Sequence, residues 1–338
     1  MFTLKRNSMV YIACPPNFVT GGTELLHQLC YCLNQKGVQA KMCYTDNENK
    51  IYADATAPSA FASYNTSAVA SLDDNANNLL IVPEALSGFL KSVHHSKKCI
   101  WWLGINHYLL KSEISPHPYG RVIYHYLLNF LGIKKALTFR EMRENHIVHL
   151  VQCWYVASFL NQKKIHNMAY LSDYINEEYI QAAQKESGER KQDIVLYNPK
   201  RNTKYVEAIR EAAPEIEFVP IQNMTRQEVV DLMCRSKVYV DFGSHPGKDR
   251  MPREAALCGC CIFTSFLGSA NFYDDVPLSS DFKFERTKKN IPAVIEKIKG
   301  VFSNYEEERK QFDAYREFIK SEKDQFEKAV EKLFVLSE

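Results

Sequence analysis

Charge of one sign is missing from this chain of 338 residues: 42 Lys and Arg stand against 40 Asp and Glu, a formal net charge of +2. A general nucleic-acid binder carries a basic excess or stripe, so no nucleic-acid partner is expected. Any anionic ligand must then be held by a few local charges. Long hydrophobic runs are missing too. No apolar stretch approaches the roughly 20 residues that span a bilayer. The short one at 9–13, behind Lys5 and Arg6, stops before Pro15-Pro16 and is too brief for a signal peptide. Repeats and low-complexity segments are absent. With 46% hydrophobic and 24% charged residues, the composition excludes a disordered or fibrous chain. The ten cysteines are too sparse for a disulfide framework. Most lie inside apolar periodic segments, as Cys30 and Cys32 do in LLHQLCYCL, so they read as buried thiols of a reducing, cytoplasmic compartment. Cys258-Gly-Cys260-Cys261 has no Cys/His pair at a zinc spacing nearby, and no metal site is expected.

What is present is alternation. A buried-strand run at 9–14 leads through the loop PPNFVTGG to a helix at 23–35 and a second strand at 39–44. The pattern returns as a strand at 78–83, a helix at 86–96, and strands at 99–103 and 148–152. The charged stretch 185–192 reads as a linker, after which strands at 193–197, 217–220, 237–242 and 260–264 alternate with helices at 203–213, 225–236 and 252–258. Thr225 and Glu228 form a capping box. Alternating α and apolar β segments imply parallel sheets covered on both faces. The expected fold is therefore α/β, two tandem doubly wound (Rossmann-like) domains: 1–184 with a helical excursion at 107–145, then 193–300, then amphipathic helices at 301–338.

Ligands of such sheets bind at the carboxyl ends of the strands. Three loops there carry unusual residues. Gly21 and Gly22 allow close backbone approach at a helix N-terminus, although a flexible turn capped by Thr23 explains them equally. Lys200 and Arg201 suit a phosphate, against the plain reading of a solvated surface pair. The run from Asp241 to Cys260 puts His245, Lys248 and Arg250 ahead of a helix that starts at Pro252, with Glu254 in its first turn, where a carboxylate suits the dipole. Glu254 suits the vicinal diol of a ribose, and the two cations suit phosphates. Capping alone explains Glu254 but not the basic loop.

These features together resemble the GT-B glycosyltransferases, and PREAALCGCCIFTS resembles the glutamate-bearing run of the group 1 type nucleotide-sugar transferases. The resemblance implies two domains facing a cleft, with C-terminal helices crossing back to the first. It implies transfer of a sugar from a UDP-, GDP-, dTDP- or CMP-linked donor to a saccharide or lipid-linked saccharide acceptor, in polysaccharide or glycoconjugate synthesis, with no metal or other cofactor. It assigns the ribose to Glu254 and the diphosphate to Lys200 and Arg201. One position departs: Pro246 stands where many members place a sugar-facing acid, and His245-Pro246 is instead similar to transferases of CMP-linked acidic sugars.

Two further residues are candidates by position. His107, after the strand ending in Trp101-Trp102, is a general base for an acceptor hydroxyl or a structural histidine. Asp173 is a cleft residue or a turn residue. Residues 121–135 combine aromatics and leucines with basic ends, which suits either a helix at a membrane surface or, the plainer reading, a helical hairpin packed on the first domain. An epimerase of the same fold and a nucleotide-binding protein without turnover remain open as other functions.

Overall fold

The computed structural model describes residues 1–111, 136–177, 180–181, 191–201 and 203–337. The expected helix at 121–135 and most of the linker at 185–192 lie outside the described residues. The chain divides into two units, Met1–Asp173 with Asp324–Glu338, and Tyr174–Lys323.

The first unit is built on a six-stranded parallel sheet. Its strands are β2 (Val10–Cys14), β3 (Ala40–Tyr44), β4 (Leu79–Pro83), β5 (Lys97–Trp102), β6 (Val148–Val151) and β7 (Met168–Tyr170), in the order β3-β2-β4-β5-β6-β7. Every residue of β2 and β4 is buried, as expected of strands with both faces covered. The order reverses at β2, so the carboxyl ends of β2 and β4 flank the switch point where ligands of open α/β sheets bind. A small pair lies apart from this sheet: β1 (Phe2–Leu4) runs parallel to β12 (Phe334–Leu336), with Phe2 opposite Phe334.

The second unit carries a four-stranded parallel sheet of β8 (Gln192–Tyr197), β9 (Glu217–Pro220), β10 (Ser236–Asp241) and β11 (Cys261–Thr264), ordered β11-β10-β8-β9. Here the switch point falls between β8 and β10. The loops leaving these two strands are those bearing Lys200 and Arg201, and residues 242–249.

Several boundaries differ from the sequence reading, each for a local reason. The first helix spans Gly21–Gln35, and its N-cap is Thr20, with Thr23 as the reciprocal partner of a capping box. Both are threonines three apart, and the pattern fits either unless the partner is known. The segment after β4 is a kinked 3₁₀ stretch, Glu84–Ser92, with Leu86 at φ −110 and ψ 21. The helix expected from Pro252 begins at Arg250, so Pro252 is its third residue and Glu254 lies beyond the first turn. Of the terminal helices, Phe312, Tyr315 and Ile319 belong to the core of the second unit. The long helix Asp313–Leu333 contributes its last turns to the first unit, where Phe326 stacks on Trp101. All ten cysteines are buried thiols.

Candidate functional site

In the second unit the two switch-point loops meet through one guanidinium. Arg201 Nη2 lies 2.5 Å from Asp249 Oδ2, and its Nε lies 3.5 Å from Asp241 Oδ1. The sequence makes room for this arginine with a glycine. A Cβ at position 243 would stand 2.5 Å from Arg201 Nε and 2.8 Å from Asp241 Oδ1, closer than any side chain tolerates. Gly243 also donates its N–H to Asp241 Oδ1 at 2.9 Å.

His245 completes this network. It is 1% exposed, takes a left-handed backbone (φ 41), and places Nδ1 2.8 Å from Asp249 Oδ2. Burial alone disfavours its cation, but the hydrogen bond to Asp249 and the charges of Asp241 and Asp249 outweigh it and raise the imidazole above its ordinary range. Burial likewise pushes the Asp249 carboxyl up, yet His245 and Arg201 hold it below the usual carboxylate value. The loop is closed from the far side by Gly268, whose φ of +63 admits no ordinary side chain. A Cβ there would fall 2.0 Å from His245 O, and Ser269 N–H donates to that same oxygen at 2.9 Å.

Asp249 is also the N-cap of the helix Arg250–Leu257, but its side chain makes no cap hydrogen bond. Its carboxylate is committed to His245 and Arg201. The N–H groups of Arg250 and Met251 are therefore left uncapped by it at the positive end of a helix, while Pro252 has no N–H to offer. That end of the helix, beside Arg201, is suited to an anion.

The cations named from sequence separate here. Lys200 is exposed at the tip of the first loop, and Arg250 is half-buried and donates from Nη2 to Tyr174 O at 2.9 Å. Lys248 is turned away into the protein. Its ammonium is 2.9 Å from Glu322 Oε1, while Arg253 Nη1 takes the other carboxylate oxygen at 2.6 Å, and all three residues are at most 6% exposed. Arg253 also donates to the carbonyls of Lys248 and Asp249, both at 3.2 Å. Arg253 and Glu322 thus fix the shape of the loop, and neither was read from sequence. Glu254 is half-buried on the same helix.

Asp241, His245 and Asp249 offer one ligand atom each within 4.8 Å of one another, a donor set that suits a divalent cation. Arg201 already supplies positive charge to both carboxylates.

In the first unit, Gly21 and Gly22 are the first two residues of a helix rather than part of a free loop. The Thr20 hydroxyl accepts from Thr23 N–H at 3.2 Å and caps that N-terminus. A Cβ at Gly22 would meet Leu103 Cδ1 at an ordinary 3.4 Å. His107 is exposed at the start of the helix Asn106–Lys111, and Asp173 is 1% exposed. Two buried carboxylates at this switch point escaped the sequence reading. Glu84 directly follows β4 and accepts from Leu103 N–H at 3.0 Å, and Glu24 accepts from the Tyr64 hydroxyl at 3.0 Å. The acid placed immediately after the apolar run LLIVP was the signal for Glu84.

No protein-family model and no curated protein matches the chain in sequence. Solved structures do match in shape. A sucrose-phosphate synthase from Thermosynechococcus elongatus superposes with a TM-score of 0.62 at 12% identity, covering 97% of this chain and 98% of that one. HepE of Anabaena, in complex with UDP-glucose, gives 0.57 at 9% identity over 96% and 99% of the two chains. The catalytic domain of starch synthase IV from Arabidopsis thaliana, bound to ADP and acarbose, gives 0.53 at 9% identity over 96% and 99%. At this level of identity the likeness is one of fold, and the fold of this chain is that of the GT-B glycosyltransferases, with two Rossmann-like domains.

Proposed function

We propose that the chain is a glycosyltransferase that moves a sugar from a nucleotide-sugar donor to a hydroxyl acceptor, in the assembly of a polysaccharide or other glycoconjugate. One observation carries the reading. The switch point of the second sheet presents an arginine and a helix N-terminus whose capping carboxylate is used elsewhere. That combination suits the diphosphate of a nucleotide donor, and HepE and starch synthase IV, which share the fold, are bound to UDP-glucose and ADP. Arg201, Lys200 and Arg250 then offset the charge that grows on the leaving phosphate, the main source of stabilisation when such a bond breaks. Glu254 accepts from the ribose hydroxyls. His245 and Lys248 serve the donor by holding the loop, His245 through Asp249 and Lys248 through Glu322. His107 and Asp173 are the acceptor-side candidates for the base, and Gly21 and Gly22 give a ligand access to the first helix. Protein cations fill the role of a metal in this scheme.

A second reading, nucleotide binding without transfer, draws on Pro246 standing at the place of a sugar-facing acid. One experiment separates the two. Thermal unfolding is followed with UDP, GDP, dTDP and CMP and their sugar conjugates, because a ligand of the folded state raises the midpoint by mass action. One nucleotide class is expected to raise it, with affinity reduced about tenfold or more in Glu254→Ala, the scale of a lost buried hydrogen bond. A shift unchanged by that substitution removes the ribose assignment. Binding with no sugar released or transferred in the presence of candidate acceptors selects the second reading.

A further inference from the structure

A parallel sheet has two ends, and the candidate donor loops lie at the carboxyl ends of the strands. At the opposite end of the first sheet, where β5 and β6 begin, a cavity of about 530 Å³ opens. Its size falls within the roughly 300–1,000 Å³ typical of small-molecule sites. Its charged and titratable side chains are His94, Lys97, Lys98 and His146, with no carboxylate among the lining residues. Lys97 anchors one wall by donating from Nζ to Thr3 O at 2.6 Å. Lys98 is half-buried and forms no ion pair among the described residues.

Two acids of neighbouring segments are already engaged. Asp74 sits behind the turn and accepts from the N–H groups of His94, His95 and Ser96 at 2.7, 3.0 and 2.8 Å, which sets the turn that carries the bases. Glu144, just before the lining residue Asn145, pairs with Arg140 at 2.7 Å. A second cavity, of about 460 Å³ in the other unit, makes the contrast. There Lys191 donates to three carbonyl oxygens and Lys237 pairs with Asp193 at 2.6 Å, so both lysines are satisfied from within.

We propose that the cavity at the amino ends of β5 and β6 binds a phosphate- or diphosphate-bearing ligand, at a site separate from the donor loops. Lys98 supplies the main charge, Lys97 a fixed second one, and the two imidazoles add donors. The inference does not depend on the proposed transferase activity. A free phosphorylated metabolite and an anionic lipid headgroup offer the same chemistry, and the test separates them.

The test is lysine acetylation footprinting of the whole chain by mass spectrometry, with pyrophosphate in one arm and phosphatidylglycerol vesicles in the other, phosphatidylcholine vesicles being the control. Lys97 and Lys98 are expected to be protected several-fold while exposed lysines such as Lys320 are not. Protection at Lys200 reports the donor loop and is scored apart. In Lys98→Gln, the pyrophosphate concentration that half-protects Lys97 is expected to rise about tenfold, the scale of one charge-assisted contact. Protection by the anionic vesicles alone assigns the ligand to lipid. Protection by neither, protection of all exposed lysines alike, or an unchanged midpoint in Lys98→Gln overturns the proposal.

Discussion

Two strand-to-helix turns occupy the same place in the two sheets and are finished in opposite ways. After β2, a neutral threonine caps its helix in a closed box with Thr23, and the turn is satisfied from within. After β10, the residue at the N-cap is an aspartate that makes no cap at all. Its carboxylate reaches back to His245 and sideways to Arg201. The first turn is closed by its own cap, whereas in the second the carboxylate at the N-cap is spent on a histidine and an arginine. A favourable capping residue in sequence therefore does not reveal whether a helix end is occupied. The other claims on its side chain decide that.

The strongest way to break the second turn is to remove the carboxylate beneath it. Glu322→Ala leaves Lys248 and Arg253 buried without their shared partner. It is expected to lower stability by about 3–5 kcal/mol, the usual cost of stranding a buried charge. Urea unfolding measures this, and a change below 1 kcal/mol would mean that both cations find water instead.

A smaller effect is expected from Asp249→Asn, and its pH dependence has a definite sign. His245 is raised above its ordinary 6.5, so the stability it contributes is complete below that value and fades as pH rises through the raised one. Asp249 is lowered from 3.8, so its contribution is complete above that value and fades as pH falls through the lowered one. The difference between wild type and variant should peak between those limits at about 1.5–3 kcal/mol, as for a charged hydrogen bond. Above that window it should narrow to what the Arg201 contact retains. A difference independent of pH would show that His245 is neutral in the fold.

The first turn gives the smallest change. Thr20→Ala removes an ordinary cap and should cost about 1 kcal/mol, with no pH dependence between 4 and 8. Comparing melting curves of the two variants across pH thus sharpens the contrast between a neutral turn and an ionic one.

Much of the framework was legible because its signals are local. The strand at 217–220 was read with the bounds it has, and Thr225 caps through Glu228 as its spacing required. The short β1 and β12 were missed because three-residue strands carry no usable periodicity, and their partners lie at opposite ends of the chain. The acid after LLIVP marks Glu84 in sequence, but that signal gains meaning only with its burial, which depends on the tertiary structure.

The sequence by itself determined the alternation of strands and helices, the carboxyl-end loops, and the set of basic residues gathered there. Apolar spacing, capping pairs and glycines act over a few residues, and those can be read in order. Only the tertiary structure decided which cations stay exposed and which are buried against a carboxylate. Lys248 and Lys200 carry the same charge in loops of similar composition, yet one is buried against Glu322 and the other is exposed. The deciding carboxylates belong to other parts of the chain, and charge pairing at a few ångströms depends on distance in space, not on distance along the sequence.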